Sequence, residues 1–349
     1  MLPIPKNARN ILIRSTNWIG DAVMTTPAIR GIRCNFPEAK ITLLALPWVA
    51  DVFRACPHID HIFIYDRQGR HQGLAGKLRL AAELRRENYD LAILLQNAFE
   101  AALITFLARI PVRGGYTTDG RGLLLTHGVR KHPDIKTRHQ VHYYQEMLEG
   151  LGVRRSENNP ELFLEPAAMK EADVLLRDIL QGQELPVIGL NPGAAYGPAK
   201  CWPAAKYAEL ADHLSQETGG LIVIFGTAAD QKAAAEIRAA AGKRVMDLTG
   251  KTTLALALAC IARCSVFVTN DSGLMHAAAA LNTPLVAVFG STDHIATGPY
   301  SEQATIVRRP VECSPCMKTH CPEGHFQCME DITVQEVEQA ALARLDKKE

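Results

Sequence analysis

The sequence predicts an α/β protein with two doubly wound parallel sheets, one in each half of the chain. Short apolar, β-branched runs alternate with amphipathic stretches of helical period through residues 10–151, and the same alternation begins again at residue 187. Strands that alternate with helices form parallel sheets covered by helices on both faces. A polar stretch at 152–160 and a helix-like segment at 167–180 separate the two series.

The first series contains five predicted strands and four predicted helices. The strands are expected at 10–14, 41–46, 62–65, 91–95 and 112–116, and the helices at 21–34, 76–87, 98–107 and 140–151. The second series has predicted strands at 187–190, 221–225, 245–247, 266–269 and again after residue 284, with helices at 204–218, 228–240, 254–262 and after residue 273. We therefore expect domains at 1–175 and 176–330, followed by a C-terminal helix at 331–349 that could pack back on the N-terminal domain.

Length and composition exclude some broad classes of protein. The 349 residues are 47% hydrophobic and 21% charged, as in a globular protein with room for two cores. No apolar run approaches the ~18–20 residues that span a bilayer, and the N-terminus lacks the features of a signal peptide. Nine cysteines, an odd number, indicate a reducing compartment rather than a disulfide framework. We expect a soluble, cytoplasmic protein.

Charge is distributed unevenly, although the formal net charge is only +1. Residues 1–175 carry 23 basic against 18 acidic side chains, and the remainder carries 15 against 19. Much of the basic excess lies between Arg109 and Arg138. Such a run is a solvated surface in most proteins, and it can also contact an anionic membrane face. A nearly neutral chain does not favour a nucleic-acid partner.

The segment 266–290 carries the strongest single signal in the chain. An apolar strand leads into a polar turn, and a small-residue helix follows and ends before a proline. Free backbone N–H groups at the start of such a helix can bind an anion such as a diphosphate. Asp271, Ser272 and His276 would cluster there, because positions 272 and 276 share one helix face. Alternatively, Asp271 or Ser272 only caps the helix and His276 is a core residue.

The first strand–helix turn contains an isolated carboxylate. Gly20-Asp21 opens the predicted helix, and the turn lacks both the Gly-x-Gly-x-x-Gly dinucleotide pattern and the Walker loop. Asp21 could cap the helix, where the helix dipole favours a carboxylate. It could also act as a general base towards a bound hydroxyl.

Three loops of the second half are expected at one edge of its sheet. The loop 191–203 is rich in small residues that let a ligand approach the backbone, and its Lys200 offers a point charge suited to a phosphate. Asp230 in the next loop could accept ribose hydroxyls or cap its helix, and Thr249 lies in a third loop. Ligands of doubly wound sheets bind beyond the carboxyl ends of the strands, where these loops would meet.

Taken together, these motifs resemble those of the ADP-heptose:lipopolysaccharide heptosyltransferases, most closely the heptosyltransferase II branch. The resemblance spans nearly the whole chain in order. The matching segments are Asn17-Trp18-Ile19-Gly20-Asp21 with Pro27-Ala28, Asn191-Pro192-Gly193-Ala194, Lys200 with Trp202-Pro203, Leu248-Thr249-Gly250-Lys251, Asn270-Asp271-Ser272-Gly273 to His276, and Phe289-Gly290-Ser291-Thr292. The resemblance implies a GT-B fold, in which two Rossmann-like domains face each other across a cleft, with the acceptor bound by the N-terminal domain and the nucleotide sugar by the C-terminal domain.

The resemblance also implies roles for individual residues. Asp21 matches the catalytic base of the family, and Lys200 matches a position that binds the diphosphate of the donor. The donor-binding set is Asn191, Gly193, Ala194, Lys200, Asp230, Thr249, Asp271, Ser272, Gly273 and His276. On the acceptor side we place Asn17, Trp18, Gly20, Arg121, Arg130 and Lys131. The match at Asp230 is looser, because this position is displaced among small residues.

The implied reaction is an inverting transfer of L-glycero-D-manno-heptose from ADP-heptose to the lipopolysaccharide inner core. The branch implies addition of the second heptose onto heptosyl-Kdo2-lipid A, at the inner face of the cytoplasmic membrane, by a monomer. No catalytic cofactor is expected, since fixed donors can hold the charge on the departing ADP. The chain also contains no Asp-x-Asp pair, the magnesium clamp of other glycosyltransferases. Transfer of the first or an outer heptose stays open, as does a nucleotide-dependent oxidoreductase, which the missing glycine fingerprint disfavours.

Four cysteines lie close together near the C-terminal end of the chain. Cys313, Cys316, Cys321 and Cys328 have the spacing C-x₂-C-x₄-C-x₆-C within a loop-rich segment at 313–328. The first pair is typical of a zinc hairpin, but the later spacings match neither a zinc ribbon nor a ferredoxin. A structural metal, reduced thiols and a disulfide all remain open.

Overall fold

The chain divides into two compact units, each with its own sheet. The computed structural model describes residues 3–240 and 244–346, and the units are Met1–Phe163 and Leu164–Glu349. The boundary therefore precedes the expected one, because residue 175 falls inside a helix, Pro166–Leu180, that packs on the helix Leu254–Ile261 of the C-terminal unit.

The N-terminal unit contains six strands and six α-helices within the described residues. The strands are β1 (Asn10–Arg14), β2 (Lys40–Ala45), β3 (His61–Ile64), β4 (Leu91–Leu94), β5 (Val112–Tyr116) and β6 (His127–Val129). The helices are α1 (Ile19–Met24), α2 (Thr26–Asn35), α3 (Pro47–Ala50), α4 (Gly73–Arg86), α5 (Phe99–Leu107) and α6 (Gln140–Gly150), with 3-10 turns at Asp51–Phe53, Arg121–Leu124 and Pro133–Thr137.

The C-terminal unit repeats this plan with additional helices. Its described strands are β7 (Val187–Asn191), β8 (Leu221–Ile224), β9 (Val245–Asp247), β10 (Val266–Asn270), β11 (Leu285–Phe289) and β12 (Ala304–Arg308). The helices are α7 (Pro166–Leu180), α8 (Ala204–Thr218), α9 (Gln231–Ala240), α10 (Leu254–Ile261), α11 (Gly273–Ala280), α12 (His294–Thr297), α13 (Gln327–Glu330) and α14 (Val334–Leu345), with 3-10 turns at Pro198–Lys200 and Ala228–Asp230.

Both sheets are wholly parallel and share one topology. The strand orders are β3-β2-β1-β4-β5-β6 and β12-β11-β10-β7-β8-β9, and each sheet is the doubly wound arrangement in which the chain reverses direction at the centre. Every residue of β7, β10 and β11 is buried, as expected for strands covered by helices on both faces. The predicted fold class, two Rossmann-like domains, is confirmed.

Most predicted elements are present, and the differences have local causes. The helix expected at 21–34 is split at Thr25, and the second piece, α2, has Pro27 in its first turn, where a missing N–H costs nothing. The strands β6 and β12 were not predicted, because each is an edge strand with mostly half-buried residues and a weak apolar signal.

The C-terminal helix α14 packs on its own unit. Its residues Val334, Val337 and Ala341 join the hydrophobic core beneath α8 and strands β10 to β12. From the sequence, the segment 331–349 could have packed back on the N-terminal domain, but its helix α14 packs on the C-terminal unit. Residues 347–349 lie outside the described part of the chain. Among the residues described, no helix combines the length and the apolar character that crossing a bilayer requires.

Candidate active site

The predicted site residues follow the central strands of each sheet. The strand order reverses between β1 and β4 in the N-terminal unit and between β7 and β10 in the C-terminal unit. Ligands of doubly wound sheets bind in the crevice at this reversal, outside the carboxyl ends of the strands. Asp21 lies beyond β1, the loop with Lys200 begins at the end of β7, and Asp271 follows β10.

Asp21 lies in the first turn of α1 and is partly exposed. Trp18 is the N-cap residue of this helix, so Asp21 is not the cap that its sequence position also allowed. Complete burial raises the pKa of the Tyr144 hydroxyl well above its usual value, and the nearby charge of Asp21 adds to that increase. The carboxylate of Asp21 therefore lies close to a buried phenol of α6, and one side remains open to solvent.

The turn before Asp21 is held by a buried arginine. Arg14 donates to the side-chain oxygen of Asn17 at 2.8 Å, and its guanidinium lies 5.5 Å from the centre of the Tyr65 ring. Burial lowers the pKa of Arg14 to about 10. The carbonyl of Asn17 accepts a hydrogen bond from Trp48 Nε1 at 3.0 Å, while Trp18 is 60% exposed and Gly20 is buried. Asn17 and Gly20 thus shape the turn, and Trp18 presents a free aromatic face.

Two hydroxyls that the sequence did not single out also lie at this turn. Ser15 and Thr16 are buried, and within the described residues neither side-chain oxygen has a hydrogen-bond partner. Buried polar groups without partners are uncommon in folded proteins. Their position directly after β1, at the reversal of strand order, is the signal that could have found them.

Arg121 is not a surface residue, contrary to its place in the expected basic run. It is fully buried, donates to the carbonyls of Tyr116 and Gln96, and donates to Asn97 Oδ1 at 3.0 Å. Burial lowers the pKa of Arg121 to about 10. Its guanidinium joins the ends of β4 and β5, because Gln96 follows β4 and Tyr116 ends β5.

Four other members of the basic run, Arg113, Arg130, Lys131 and Arg138, have different surroundings. Arg138 is paired with Glu146 at 2.7 Å, and Arg113 packs its guanidinium 5.4 Å from the centre of the Phe106 ring. Arg130 and Lys131 are exposed, and the Lys131 ammonium lies 4.9 Å from the centre of the Tyr143 ring. Arg130 and Lys131 keep an accessible charge, as the acceptor-side prediction requires.

In the C-terminal unit the structure brings Lys200 and Asp271 into direct contact. The Lys200 ammonium lies 2.5 Å from Asp271 Oδ2, and the two side chains are only 14% and 5% exposed. Thr292, which follows β11, donates to the same carboxylate oxygen at 2.6 Å. The Lys200 ammonium also lies 4.8 Å from the centre of the Tyr196 ring. A cation is therefore fixed at the reversal of strand order by a buried carboxylate.

Asn270 fastens the loop that carries Lys200. Its side chain accepts a hydrogen bond from the Trp202 backbone at 3.0 Å and donates to the carbonyl of Pro192 at 2.7 Å. The hydroxyl of Tyr207 donates to the same Asn270 oxygen at 3.2 Å. One buried amide thus holds both ends of the loop 192–202, which keeps the position of Lys200 fixed.

The start of α11 is capped and connected to the same loop. Ser272 is the N-cap residue and accepts from the Met275 amide at 3.3 Å, as the capping alternative proposed. Asn191 donates to the hydroxyl of Ser272 at 2.9 Å, so two predicted donor-side residues meet here. Gly273 is the first residue of the helix, and His276, one turn further on, is buried.

The carboxylate of Asp230 lies against Gly193, whereas the hydroxyl of Thr249 is bonded within its own loop. Asp230 caps its helix, accepting from the amide and the hydroxyl of Thr227 at 2.7 and 2.9 Å. Its carboxylate covers Gly193 so closely that an added Cβ would lie 2.2 Å from Asp230 Oδ1. The hydroxyl of Thr249 is buried and donates to Asp247 at 2.5 Å, within its own loop. Ala194, next to Gly193, is partly exposed.

The cysteine-rich segment braces the two loops around Lys200. The carbonyl of Thr319 accepts the amide of Ala199 at 3.1 Å, and the carbonyl of Met317 accepts the Tyr196 hydroxyl at 2.9 Å. On the other side, Ser314 donates to the carbonyl of Gly290 at 2.5 Å. The sequence did not predict these contacts, because all three accept at backbone carbonyls, which any residue carries.

The four cysteines of this segment are free thiols. Cys328 is buried in the core and its pKa is raised to about 11 by burial, whereas hydrogen bonds from backbone amides, chiefly that of Phe326, lower the pKa of Cys321. Within residues 3–240 and 244–346, no three His, Cys, Asp or Glu side chains are arranged to hold a metal ion.

The chemical capacity of these two edges differs. The edge of the N-terminal unit offers the partly exposed carboxylate of Asp21 and two buried hydroxyls at the end of β1, and such a carboxylate suits proton abstraction from a bound hydroxyl. The edge of the C-terminal unit offers a fixed ammonium and the amides of a helix start, which suit a diphosphate. Asn270 and Thr292 also lie at this edge. The sequence included both in the matching motifs but assigned no role to either side chain.

Comparison with known proteins agrees with this geometry. The family model of glycosyltransferase family 9 (heptosyltransferase) matches residues 77–327. The lipopolysaccharide heptosyltransferase 2 of Salmonella typhimurium is 35% identical over 335 residues, which cover 94% of this chain and 96% of that protein. The structure of the E. coli ADP-heptose lps heptosyltransferase II is similar with a TM-score of 0.80 and 31% identity, over 97% of this chain and 99% of that one. A family 9 glycosyl transferase from Veillonella parvula has a TM-score of 0.87 at 26% identity, over 99% of both chains.

The matched family model covers well over half of the chain, and the relatives are similar over nearly their whole length. Asp21, Lys200 and Asp271, which the family resemblance singled out, follow the strands at the two reversals of strand order. This protein is a glycosyltransferase that belongs to family 9, the heptosyltransferases.

Proposed function

We propose that this protein transfers L-glycero-D-manno-heptose from ADP-heptose to the inner core of lipopolysaccharide, and that it adds the second heptose. The observation that carries the proposal is the buried contact between Lys200 and Asp271 at the start of α11, a fixed cation where a nucleotide diphosphate would bind. The names of the relatives support the choice of heptose position, since the curated relative is called heptosyltransferase 2 and the solved one heptosyltransferase II.

In the proposed reaction Asp21 is the general base. A hydroxyl oxygen of the acceptor attacks the anomeric carbon of the heptose, and Asp21 takes the proton of that hydroxyl. The bond between the anomeric carbon and the β-phosphate oxygen breaks, and ADP leaves with the electron pair. Attack from the face opposite the leaving group inverts the anomeric configuration.

Lys200 and the backbone amides at the start of α11 stabilise the negative charge that builds on ADP. We assign the nucleotide to the surrounding loops, with Asp230 beside the ribose and Asn191, Gly193, Ala194 and Thr249 shaping the pocket wall. Asp271 holds the Lys200 ammonium in position, and Ser272, Gly273 and His276 line the start of the helix. Protein cations can perform this role alone, so we expect no requirement for a divalent metal.

On the acceptor side we assign Asn17, Trp18 and Gly20 to the wall of the site beside Asp21. Arg130 and Lys131 have accessible charges that suit the carboxylates of an anionic sugar. Arg121 supports this region from within rather than contacting the acceptor, because it is buried and bonded to backbone carbonyls. We further propose that the protein is cytoplasmic, monomeric and associated peripherally with the inner membrane, where a lipid-anchored acceptor is found.

A transfer assay tests the proposal. Purified protein is incubated with ADP-heptose and, separately, with inner-core acceptors that carry no, one or two heptoses, and the products are weighed by mass spectrometry. We expect one heptose to be added to the acceptor that already carries one. If product formed only from an acceptor with no heptose or with two heptoses, the protein would add a heptose other than the second. No product from any acceptor, together with tight binding of NAD(P), would favour an oxidoreductase and overturn the proposal.

A further inference from the structure

The outward surface of α4 and α5 carries a group of exposed or half-buried apolar side chains. Leu74, Leu78, Phe99, Phe106, Leu107 and Leu123 lie on it, and we call this surface the α4–α5 face. Leu74 is 71% exposed, and Leu123, on the 3-10 turn beside α5, is 96% exposed. Contiguous exposed apolar surface on a folded protein marks an interaction site more often than chance.

Helical spacing makes this surface continuous. Leu74 and Leu78 are four residues apart in α4, and Phe99 and Phe106 are seven apart in α5, so each pair occupies one stripe of its helix. The two helices are adjacent, and Leu78 of α4 and Leu107 of α5 line the same groove between them. The ion pair of Lys77 with Glu100, at 2.5 Å, joins the first turns of α4 and α5.

The border of the face is basic. Helix α4 carries four basic residues and one acidic residue. Arg85 and Arg86 are exposed, and neither forms an ion pair with another described residue. Arg109, after α5, is likewise exposed and has no carboxylate partner in the described part of the chain. Arg113 lies along the ring of Phe106. Exposed apolar residues bordered by unpaired arginines are complementary to a surface that offers both apolar acyl chains and anionic headgroups.

We propose that the α4–α5 face docks this protein on an anionic lipid bilayer. The inference rests on the proposed function, because it supplies the contact that a lipid-anchored acceptor requires. Apolar side chains would enter the boundary between headgroups and acyl chains, and the arginines would contact lipid phosphates. This assignment keeps only Arg109 and Arg113 of the basic run 109–138 at the membrane, since Arg121 is buried and Arg138 is paired with Glu146.

The position of the face fits this role. In a parallel sheet each helix begins at the carboxyl edge of the strand before it, so the first turns of α4 and α5 lie at that edge. Leu74 and Phe99 are in those turns, and Asp21 lies beyond β1 at the same edge. A bilayer that contacts the face would therefore hold a membrane-anchored sugar beside the edge that carries the proposed base.

Vesicle flotation tests the proposal in the absence of donor and acceptor. The full chain is mixed with vesicles of phosphatidylcholine alone or of phosphatidylcholine with phosphatidylglycerol. We expect binding to the anionic vesicles that weakens as salt is added, because screening shortens the reach of the arginines. Leu78→Glu and Phe106→Glu should each weaken binding by about tenfold or more, and Arg85→Glu with Arg86→Glu by about tenfold or more.

Matched variants on the other unit control for general effects of charge. Val174→Glu replaces an apolar residue of α7 that is 47% exposed, and Lys232→Glu with Arg238→Glu reverses two exposed charges of α9. These should bind vesicles as the native chain does. All variants should also use an acceptor stripped of its acyl chains as fast as the native chain, since the face holds no proposed site residue, while Leu78→Glu slows transfer to acceptor embedded in vesicles.

Three outcomes would overturn the docking proposal. One is that the native chain does not bind anionic vesicles. Another is that the variants of the α4–α5 face bind vesicles as strongly as the control variants do. The third is self-association that Leu78→Glu abolishes without any lipid binding, which would assign the face to a second copy of the chain. Failure of the transferase itself is distinguishable, because it abolishes product from the stripped acceptor and leaves flotation unchanged.

Discussion

The ammonium nitrogen of Lys200 lies 2.5 Å from a carboxylate oxygen of Asp271. Both side chains are nearly buried, and Thr292 donates to the same oxygen. A buried lysine paired in this way is held in position before any ligand arrives. Fixed charges of this kind stabilise a leaving group without reorganisation during the reaction.

Lys200→Ala should weaken ADP-heptose binding and slow turnover together. The lysine is proposed to contact the diphosphate in the ground state and in the transition state, so both quantities depend on it. Calorimetric titration with ADP-heptose and single-turnover rates measure the two effects, with Lys232→Ala on the surface of α9 as the matched control. An unchanged dissociation constant and an unchanged rate would mean that Lys200 does not contact the donor.

Asp21→Ala and Asp21→Asn should bind ADP-heptose normally and lose turnover by ~10²-fold or more, the usual contribution of a positioned base. Asp119, an exposed carboxylate with no proposed role in the reaction, serves as the control when it is replaced by Asn. Rates at saturating donor and acceptor give the comparison. If a folded Asp21→Asn variant turned over at a near-native rate, another group would be the base.

Arg121→Glu should unfold the N-terminal unit rather than release the protein from membranes. The substitution places a carboxylate against the backbone carbonyls that now accept from the guanidinium, at a cost of more than about 3 kcal/mol. Arg130→Glu, on the surface nearby, should change the free energy of unfolding by less than about 0.5 kcal/mol. Urea unfolding curves measure both, and equal stability of the two variants would contradict the buried role.

Gly193→Ala should distort the donor edge. Its Cβ would lie 2.2 Å from Asp230 Oδ1, so either the carboxylate or the loop must move. Overpacking of this kind typically costs ~1–3 kcal/mol, and we expect ADP affinity to fall by about tenfold. Gly122→Ala, where the nearest atom is 3.5 Å away, should leave ADP binding intact. Native affinity in Gly193→Ala would show that the nucleotide does not depend on this approach of Asp230.

Stability should depend on Glu100 in a pH-sensitive manner. Burial would raise the pKa of Glu100, but hydrogen bonds from Lys77 and Tyr65 and the charge of Arg67 outweigh burial and hold the pKa below its ordinary value. A carboxylate with a lowered pKa stabilises the fold above the unfolded-state pKa, near 4.5, and that contribution is lost as the pH falls through the folded-state pKa.

The difference in thermal midpoint between the native chain and Glu100→Gln should accordingly be constant near neutral pH and shrink below about pH 4.5. Thermal melts across this range provide the measurement. Asp119→Asn, whose carboxylate is exposed, is a suitable comparison because its effect should be small throughout. A difference that grew on acidification would reverse the assigned sign.

Local patterns predicted the central strands and the loops that follow them. The apolar runs of β1, β7 and β10 are buried on both faces, so period and composition identify them, and the polar turns after them mark the carboxyl edge. The sequence placed Lys200 and Asp271 at the same edge of the sheet but did not predict their direct contact. The two residues are 71 positions apart and meet because of the order of the strands, which local patterns do not determine.

Other features required the structure. Arg121 looks like a surface charge in the sequence, and only the carbonyls around it reveal a buried role. The exposed leucines of α4 have the spacing of core residues, so the sequence gives no sign that they face outwards. The hydrogen bond from the Ala199 amide in the Lys200 loop to the carbonyl of Thr319 joins backbone atoms, which patterns of side chains do not predict.

The central claim is that this protein recognises an inner core that already carries one heptose. The most direct test is the ratio of kcat/KM for two acceptors that differ only by that heptose, measured with ADP-heptose as the donor. A site whose buried polar groups bond the first heptose should prefer its acceptor by at least about a hundredfold, since those groups are otherwise left unpaired. Equal kcat/KM values, or a preference for the acceptor without heptose, would contradict the account.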